Sequence, residues 1–166
     1  VGATFKKGFV KNKVLEFIGP GIKNLSMDYR LGIDVMTTET TCLSSIWETD
    51  ETTKEFFKIH GREGDFKELH PEQPAYYDGA VTIDLSRVEP MIALPFHPSN
   101  AYTIKEVIEN AKDILGEVEE RGNKLKGAHT FHLLDKVKDG KIYVDQGIIA
   151  GCAGGMYENI AEAAEI

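Results

Sequence analysis

The chain has 166 residues, 42% hydrophobic and 28% charged, the balance of a globular protein long enough to bury a core as one α/β domain or two small lobes. Its formal charge of −8 argues against a nucleic-acid partner, whose phosphates call for a surplus of Lys and Arg, and suits a polycarboxylate ligand only if cationic groups come from elsewhere. No run of 18 apolar residues is present to span a membrane, the opening VGATFKKGFV lacks the apolar stretch of a secretory signal, and Cys42 and Cys152 are too few for a disulfide scaffold, so a reducing cytoplasm is the expected setting.

In chain order, residues 14–19 (VLEFIG) read as a short buried strand that Gly19-Pro20-Gly21 breaks sharply. Ser26 is placed to cap a helix starting at Met27, with Asp28 in its first turn. Met27, Leu31, Val35 and Met36 form its inward stripe, and the helix is expected to reach about Thr40. Residues 42–47 are a candidate strand, and Asp50 can cap a helix through Ile59. Residues 61–74 mix charge, glycine and proline and read as surface loop. Residues 81–85 (VTIDL) alternate as a strand does.

Residues 90–100 carry three prolines, Pro90, Pro95 and Pro98, and read as the linker between two lobes. The longest expected helix covers 103–121 and stops at Gly122, with Ile104, Val107, Ile108, Ala111, Ile114, Leu115 and Val118 on its apolar face. Asp139-Gly140 predicts a turn between strands at 131–137 and 141–144. Ile148–Ala150 reads as a buried strand entering the loop Gly151–Gly155, which leads into a terminal helix. Strands alternating with helices predict a layered α/β/α architecture with a mainly parallel sheet, in two lobes. The start at Val1 and the helix-forming run at the end, YENIAEAAEI, read as the marks of a piece of a longer protein.

Gly151-Cys152-Ala153-Gly154-Gly155 is the most suggestive element for chemistry. A cysteine between a strand end and a helix start sits where open α/β folds bind ligands, and a helix N-terminus would favour its thiolate. The plainer reading is a small buried residue in a tight turn. A phosphate-cradling loop is a poor match, because the lysine and spacing of a Walker motif are missing. A cysteine hydrolase would need a histidine, and His129 and His132, the nearest in sequence, sit in a strand-like stretch without a supporting motif. Thr37-Thr38-Glu39-Thr40-Thr41 sets one carboxylate among four hydroxyls at a helix end, either a hydrogen-bonding site or ordinary fraying of threonines back to strand. His60, His70 and His97 read as surface or loop residues, and 117–121 as a solvated helix face.

Several separated blocks resemble the aconitase superfamily. EFIGPG at 16–21, followed by Leu25-Ser26 and the helix to Glu39, resembles that family's strand, Gly-Pro-Gly turn and helix ending in an active-site glutamate. Tyr76-Tyr77-Asp78, Ile83-Asp84-Leu85 and PMIALPFHP at 90–98 resemble its passage from second to third domain, and 147–160 resembles its strand–cysteine–helix segment. The resemblance implies an aconitase-like second domain at 1–92, a linker at 93–100, and the beginning of the third domain at 101–166.

It further implies that the full-length protein is a hydro-lyase using a [4Fe–4S] cluster on a small hydroxy-polycarboxylic acid. Cys152 matches a cluster ligand and Glu39 a catalytic carboxylate, with Thr38, Thr40, Gly151 and Gly154 close to substrate or cluster. The other cluster cysteines, the serine base and the substrate-binding arginines belong to segments outside this chain. The isolated piece is therefore expected to be inactive and without cluster, its partners being the substrate and the remaining domains of its own chain. Two departures stand out. The family has asparagine where Val35 stands, and Ser-Cys-Thr-Asn where this chain reads Gly151-Cys152-Ala153-Gly154. These imply a divergent hydratase rather than aconitase itself, or else a non-catalytic binding or regulatory module that has lost the cluster.

Overall fold

The computed structural model describes residues 7–127 and 130–166, so His129 lies outside it. The chain contacts fall into two units, one of residues 7–86 with 149–166 and one of residues 87–148. The grouping does not follow chain order. The segment bearing Cys152 returns to the unit that contains Glu39.

In the first unit, β1 (Val14–Phe17) pairs in parallel with β2 (Ser44–Trp47), Val14 opposite Ser44 and Phe17 opposite Trp47. Parallel neighbours need a crossover rather than a tight turn. It is built from a 3-10 turn at Pro20–Asn24, helix α1 (Met27–Met36) and a second 3-10 turn at Thr37–Thr40. Gly19, at φ 110°, ends β1 in a conformation that side-chain-bearing residues avoid. The Phe17 and Trp47 rings stack with centroids 4.2 Å apart. Asp34 of α1 then fastens the helix to β2, accepting from Trp47 Nε1 at 3.0 Å and from Ser45 Oγ at 2.5 Å.

Ser26 caps α1 as expected, accepting from the Tyr29 amide at 3.3 Å. The inward face differs from the expected stripe. Its buried residue is Arg30, whereas Met27, Leu31, Val35 and Met36 are half-buried. Asp50 caps α2 (Glu51–Ile59) in a reciprocal capping box with Thr53. Beyond it, the expected strand at 81–85 is absent. That stretch is irregular and solvent-exposed, because alternation makes a strand only where a neighbouring strand accepts its hydrogen bonds.

The second unit opens with a hairpin of β3 (Met91–Ala93) and β4 (Ala101–Thr103), antiparallel with Ile92 opposite Tyr102. The proline-rich segment 93–100 forms the turn of this hairpin, and contacts change unit earlier, between Ser86 and Arg87. Thr103 caps α3 (Ile104–Glu109) through a capping box with Glu106. The single long helix expected here is interrupted at Asn110, whose φ of −122° leaves the helical region and whose Nδ2 donates to the Glu106 carbonyl at 3.1 Å. Helix α4 (Ala111–Asn123) follows. Val107, Ala111, Leu115 and Val118 form the buried core of this unit, and Ile104 and Ile108 face solvent.

Gly122 does not stop α4 but lies inside it. A Cβ there would come within 2.9 Å of the Phe96 ring and 3.1 Å of the Phe131 ring, which meet edge-to-face over it. Gly122→Ala is expected to destabilise the protein by about 1–3 kcal/mol through overpacking, despite alanine's better helix propensity. Urea unfolding checks this; a neutral or stabilising result would show that the rings give way freely.

The Asp139-Gly140 turn forms as expected between β5 (Val137–Lys138) and β6 (Lys141–Ile142), both turn residues at positive φ. The flanking strands are shorter than expected. Residues 148–150 form no strand, and Ile148 is 77% exposed, since β1 and β2 make a two-stranded sheet with no third partner among the described residues. The chain ends in α5 (Tyr157–Ala164), which belongs to the first unit. Among the described residues the architecture is α/β, with one parallel pair and two antiparallel hairpins.

Candidate active site

Glu39 stands in the 3-10 turn that finishes α1, half-buried and without a hydrogen bond or ion pair among the described residues. The threonines beside it are occupied. Thr37, Thr38 and Thr40 donate their hydroxyls to the carbonyls of Asp34, Val35 and Thr37, at 2.7, 2.9 and 2.5 Å. Such back-bonding satisfies the unpaired carbonyls of a helix end. Thr41 closes the turn in the left-handed conformation, φ 63°. Of the five residues 37–41, the carboxylate alone is left for a ligand.

Cys152 is exposed, so the reading of a small buried turn residue does not hold. Its loop is an α-turn, the Gly155 amide donating to the Gly151 carbonyl at 2.9 Å. Gly151 takes φ 86°, and a Cβ on Gly155 would lie 2.8 Å from the Gly151 carbonyl oxygen, so both positions need glycine. Helix α5 starts five residues after Cys152, at Tyr157. The thiol is thus not at a helix N-terminus, and the dipole effect expected for it fades over that distance.

The loop rests on α1. A Cβ at Gly32 would stand 3.3 Å from the Ala153 carbonyl oxygen. Glu39 is seven residues further along the chain, in the 3-10 turn that follows the end of α1 at Met36. Gly154 lies in the α-turn of the Cys152 loop, its own Cβ position 3.4 Å from the Ala150 carbonyl. Val35 and Thr38 line an open cleft of about 350 Å³ with Thr37, Cys42 and Ser45, and neither Glu39 nor Cys152 lines it. A larger cleft of about 650 Å³ is bordered by Glu48, Asp50, Glu51 and Glu68 together with Lys23 and His70.

Sequence reasoning missed the strongest polar contact of this unit. Arg30, 2% exposed, holds Asp50 with two parallel bonds of 2.9 and 2.7 Å. It also donates to the Ile22 and Leu25 carbonyls and to Thr53 Oγ1. The signal was a charged residue at an inward helix position, one place before Leu31. This clamp ties the Gly-Pro-Gly turn, the Glu39 helix and the α2 cap together.

The Arg30 guanidinium holds the Asp50 carboxyl down at about 2, against an ordinary 3.8. A lowered carboxylate value means stability that is fully present above the unfolded value and lost as pH falls through the folded one. The contact is expected to contribute roughly 1–2 kcal/mol that disappears between about pH 4 and pH 2. Acid unfolding followed by circular dichroism checks this, since Asp50→Asn should flatten that part of the profile, and an unchanged profile would contradict it.

The remaining titratable candidates are engaged elsewhere. His60 Nδ1 lies 2.8 Å from the Phe56 carbonyl oxygen, His70 pairs with Glu48 at 2.9 Å, and His97 bonds Ser99 at 3.0 Å. His132 is exposed in the second unit, and Cys152 has no histidine partner among the described residues. Cys42 donates its thiol to the Thr37 carbonyl at 3.2 Å. Among the described residues, no three His, Cys, Asp or Glu side chains gather closely enough to hold a metal ion. The exposed Cys152 thiol fits a single bond to an iron–sulfur cluster.

The family model described as "Aconitase family (aconitate hydratase)" matches residues 1–166. The chain is 32% identical over 154 residues to the 3-isopropylmalate dehydratase large subunit of Campylobacter hominis, covering 93% of this chain and 29% of that protein. It is 31% identical over 154 residues to that of Caldicellulosiruptor saccharolyticus, covering 93% and 28%. With large subunit 1 of Thermotoga maritima the identity is 37% over 106 residues, covering 64% and 24%. The chain spans less than a third of the length of the curated relatives it matches.

Proposed function

The chain belongs to the aconitase family, and from that premise we propose that it is part of a hydro-lyase that removes or adds water across a carbon–carbon bond of a small hydroxy-polycarboxylic acid. The name of its relatives puts 3-isopropylmalate first among candidate substrates, and their description as large subunits suggests a separate smaller partner chain. The observation that carries the reading is the seating of the Cys152 loop on Gly32 of the helix that ends in Glu39.

In this reading Glu39 holds or moves the proton of the substrate hydroxyl, or of the water it becomes. Its lack of a partner among the described residues supports that role, because a carboxylate already paired would have to be released first. The α1 helix orients it, and Arg30 and Asp34 hold that helix against α2 and β2. Cys152 would hold one iron of a [4Fe–4S] cluster whose other ligands would come from other segments, and the group would supply Lewis-acid chemistry when bound. Those segments would also bring the cationic groups that a chain of charge −8 lacks for a polyanionic substrate. The large apolar side chains left exposed, among them Val144, Ile148 and Tyr157, support a larger assembly around this piece.

A second reading, a module that keeps the fold without the cluster, draws support from Val35 and from the absence of polar side chains in Ala153-Gly154-Gly155. Assaying the complete protein anaerobically, with its partner subunit, against hydroxy-di- and tricarboxylic acids separates the two. Appearance of the unsaturated product supports the enzyme, and no turnover of any of them, under conditions that activate a relative, favours the module.

A further inference from the structure

Helix α5 cannot cap itself. Its N-cap residue is Met156, whose side chain makes no cap bond, and Asn159 returns only to the Met156 amide, at 3.2 Å. The first-turn amide of Glu158 instead donates to Asp28 Oδ2, 2.9 Å away and 130 residues earlier in the chain. Ser26 Oγ, the N-cap of α1, donates to the Glu158 carboxylate at 2.5 Å. The first turns of α1 and α5 therefore hold each other by two crossed hydrogen bonds.

Asp28 and Gly32 are four residues apart and lie on one side of α1, and Glu39 follows seven residues on. Along that side α1 carries the cap of α5 and then the seat of the Cys152 loop, and the 3-10 turn bearing Glu39 follows the end of the helix. Between cap and seat the connection is only Ala153 to Tyr157, closed by the α-turn. Fixing Glu158 leaves the loop little freedom to slide.

We propose that Asp28, with Ser26 and Glu158, is a positioning lock that sets where the Cys152 thiol stands along the Glu39 helix. This rests on the reading of Cys152 as a cluster ligand. Asp28 accepts from the Glu158 amide and acts through α5. Asparagine at position 28 still offers an oxygen to the Glu158 amide, whereas alanine offers nothing, so the two variants separate the lock from charge.

The test uses the complete protein in two states. In the metal-free state, alkylation of Cys152 and Cys42 is followed peptide by peptide by mass spectrometry. Asp28→Ala is expected to raise the Cys152 rate by about fivefold, the ratio corresponding to one lost cap, with Cys42 unchanged and Asp28→Asn within about twofold of wild type. In the loaded state, reduced with dithionite so that the cluster is paramagnetic, Asp28→Ala is expected to alter the electron paramagnetic resonance spectrum of the cluster, and Asp28→Asn to restore it. Equal alkylation and identical spectra for all three proteins would overturn the lock. So would parallel rises at Cys42 and Cys152, which mark general loosening. Should Asp28→Ala fail to fold, Glu158→Ala replaces it, removing the Ser26 bond with the same expected direction. Cys152→Ser is the control for the underlying reading: cluster loss there with unchanged Asp28 variants sinks the lock alone, and an unchanged cluster there sinks both.

Discussion

Arg30→Ala is expected to destabilise the protein by about 3–5 kcal/mol, the largest stability effect of any single change in the first unit. The guanidinium is 2% exposed and makes five hydrogen bonds, two of them to Asp50. Its removal leaves the Asp50 carboxylate half-desolvated without its counter-charge and strands the Ile22 and Leu25 carbonyls. Arg30→Lys is expected to recover little, since an ammonium cannot match the bidentate geometry.

The double variant Arg30→Met/Asp50→Ala is informative because a buried pair replaced by apolar groups is often nearly neutral. Here it should remain destabilised by roughly 1–2 kcal/mol, because Asp50 also caps α2. Chemical denaturation with unchanged m-values checks the series. A loss below about 1 kcal/mol for Arg30→Ala would mean that water replaces the guanidinium at little cost.

Glu39→Gln is expected to lower kcat of the complete protein in the proposed reaction by about 10²–10⁴-fold with KM changed little, the loss typical of a general acid–base group. Glutamine keeps the size of the side chain and removes its proton-transfer capacity. Thr38→Val provides the contrast. Its hydroxyl is already bonded to the Val35 carbonyl, so kcat should stay within about threefold of wild type. Steady-state kinetics on both variants decides. Comparable effects at 38 and 39 would assign the helix end a structural role instead.

Local chemistry was readable in the sequence. Ser26 and Asp50 cap helices where their side chains can reach an amide three residues on, and Asp139-Gly140 turns a hairpin because those two residues tolerate positive φ. Each of these depends on neighbours along the chain. The misread segments depend on neighbours in space. Residues 81–85 and 148–150 carry strand-like composition but find no strand to pair with, and Gly122 has the residue type of a helix stop while serving as the floor beneath two phenylalanine rings.

The candidate site divides in the same way. Glu39 and Cys152 were singled out from short motifs. Their presence in one unit, and the contacts that hold them, join residues up to 132 apart and left no local trace. Arg30 is the exception, because a charge on the buried side of an amphipathic helix is itself a signal that a partner waits opposite.

The account stands on the Cys152 thiol as an iron–sulfur ligand. The complete protein and its Cys152→Ser variant, reconstituted anaerobically with iron and sulfide, give the most direct measurement when both elements are analysed alongside the visible spectrum. The account predicts iron and sulfide in equal amounts with broad charge-transfer absorption in the wild type, and loss of both in the variant. A wild type that stays iron-free under conditions that load a relative, or a serine variant that retains the same cluster, would contradict it.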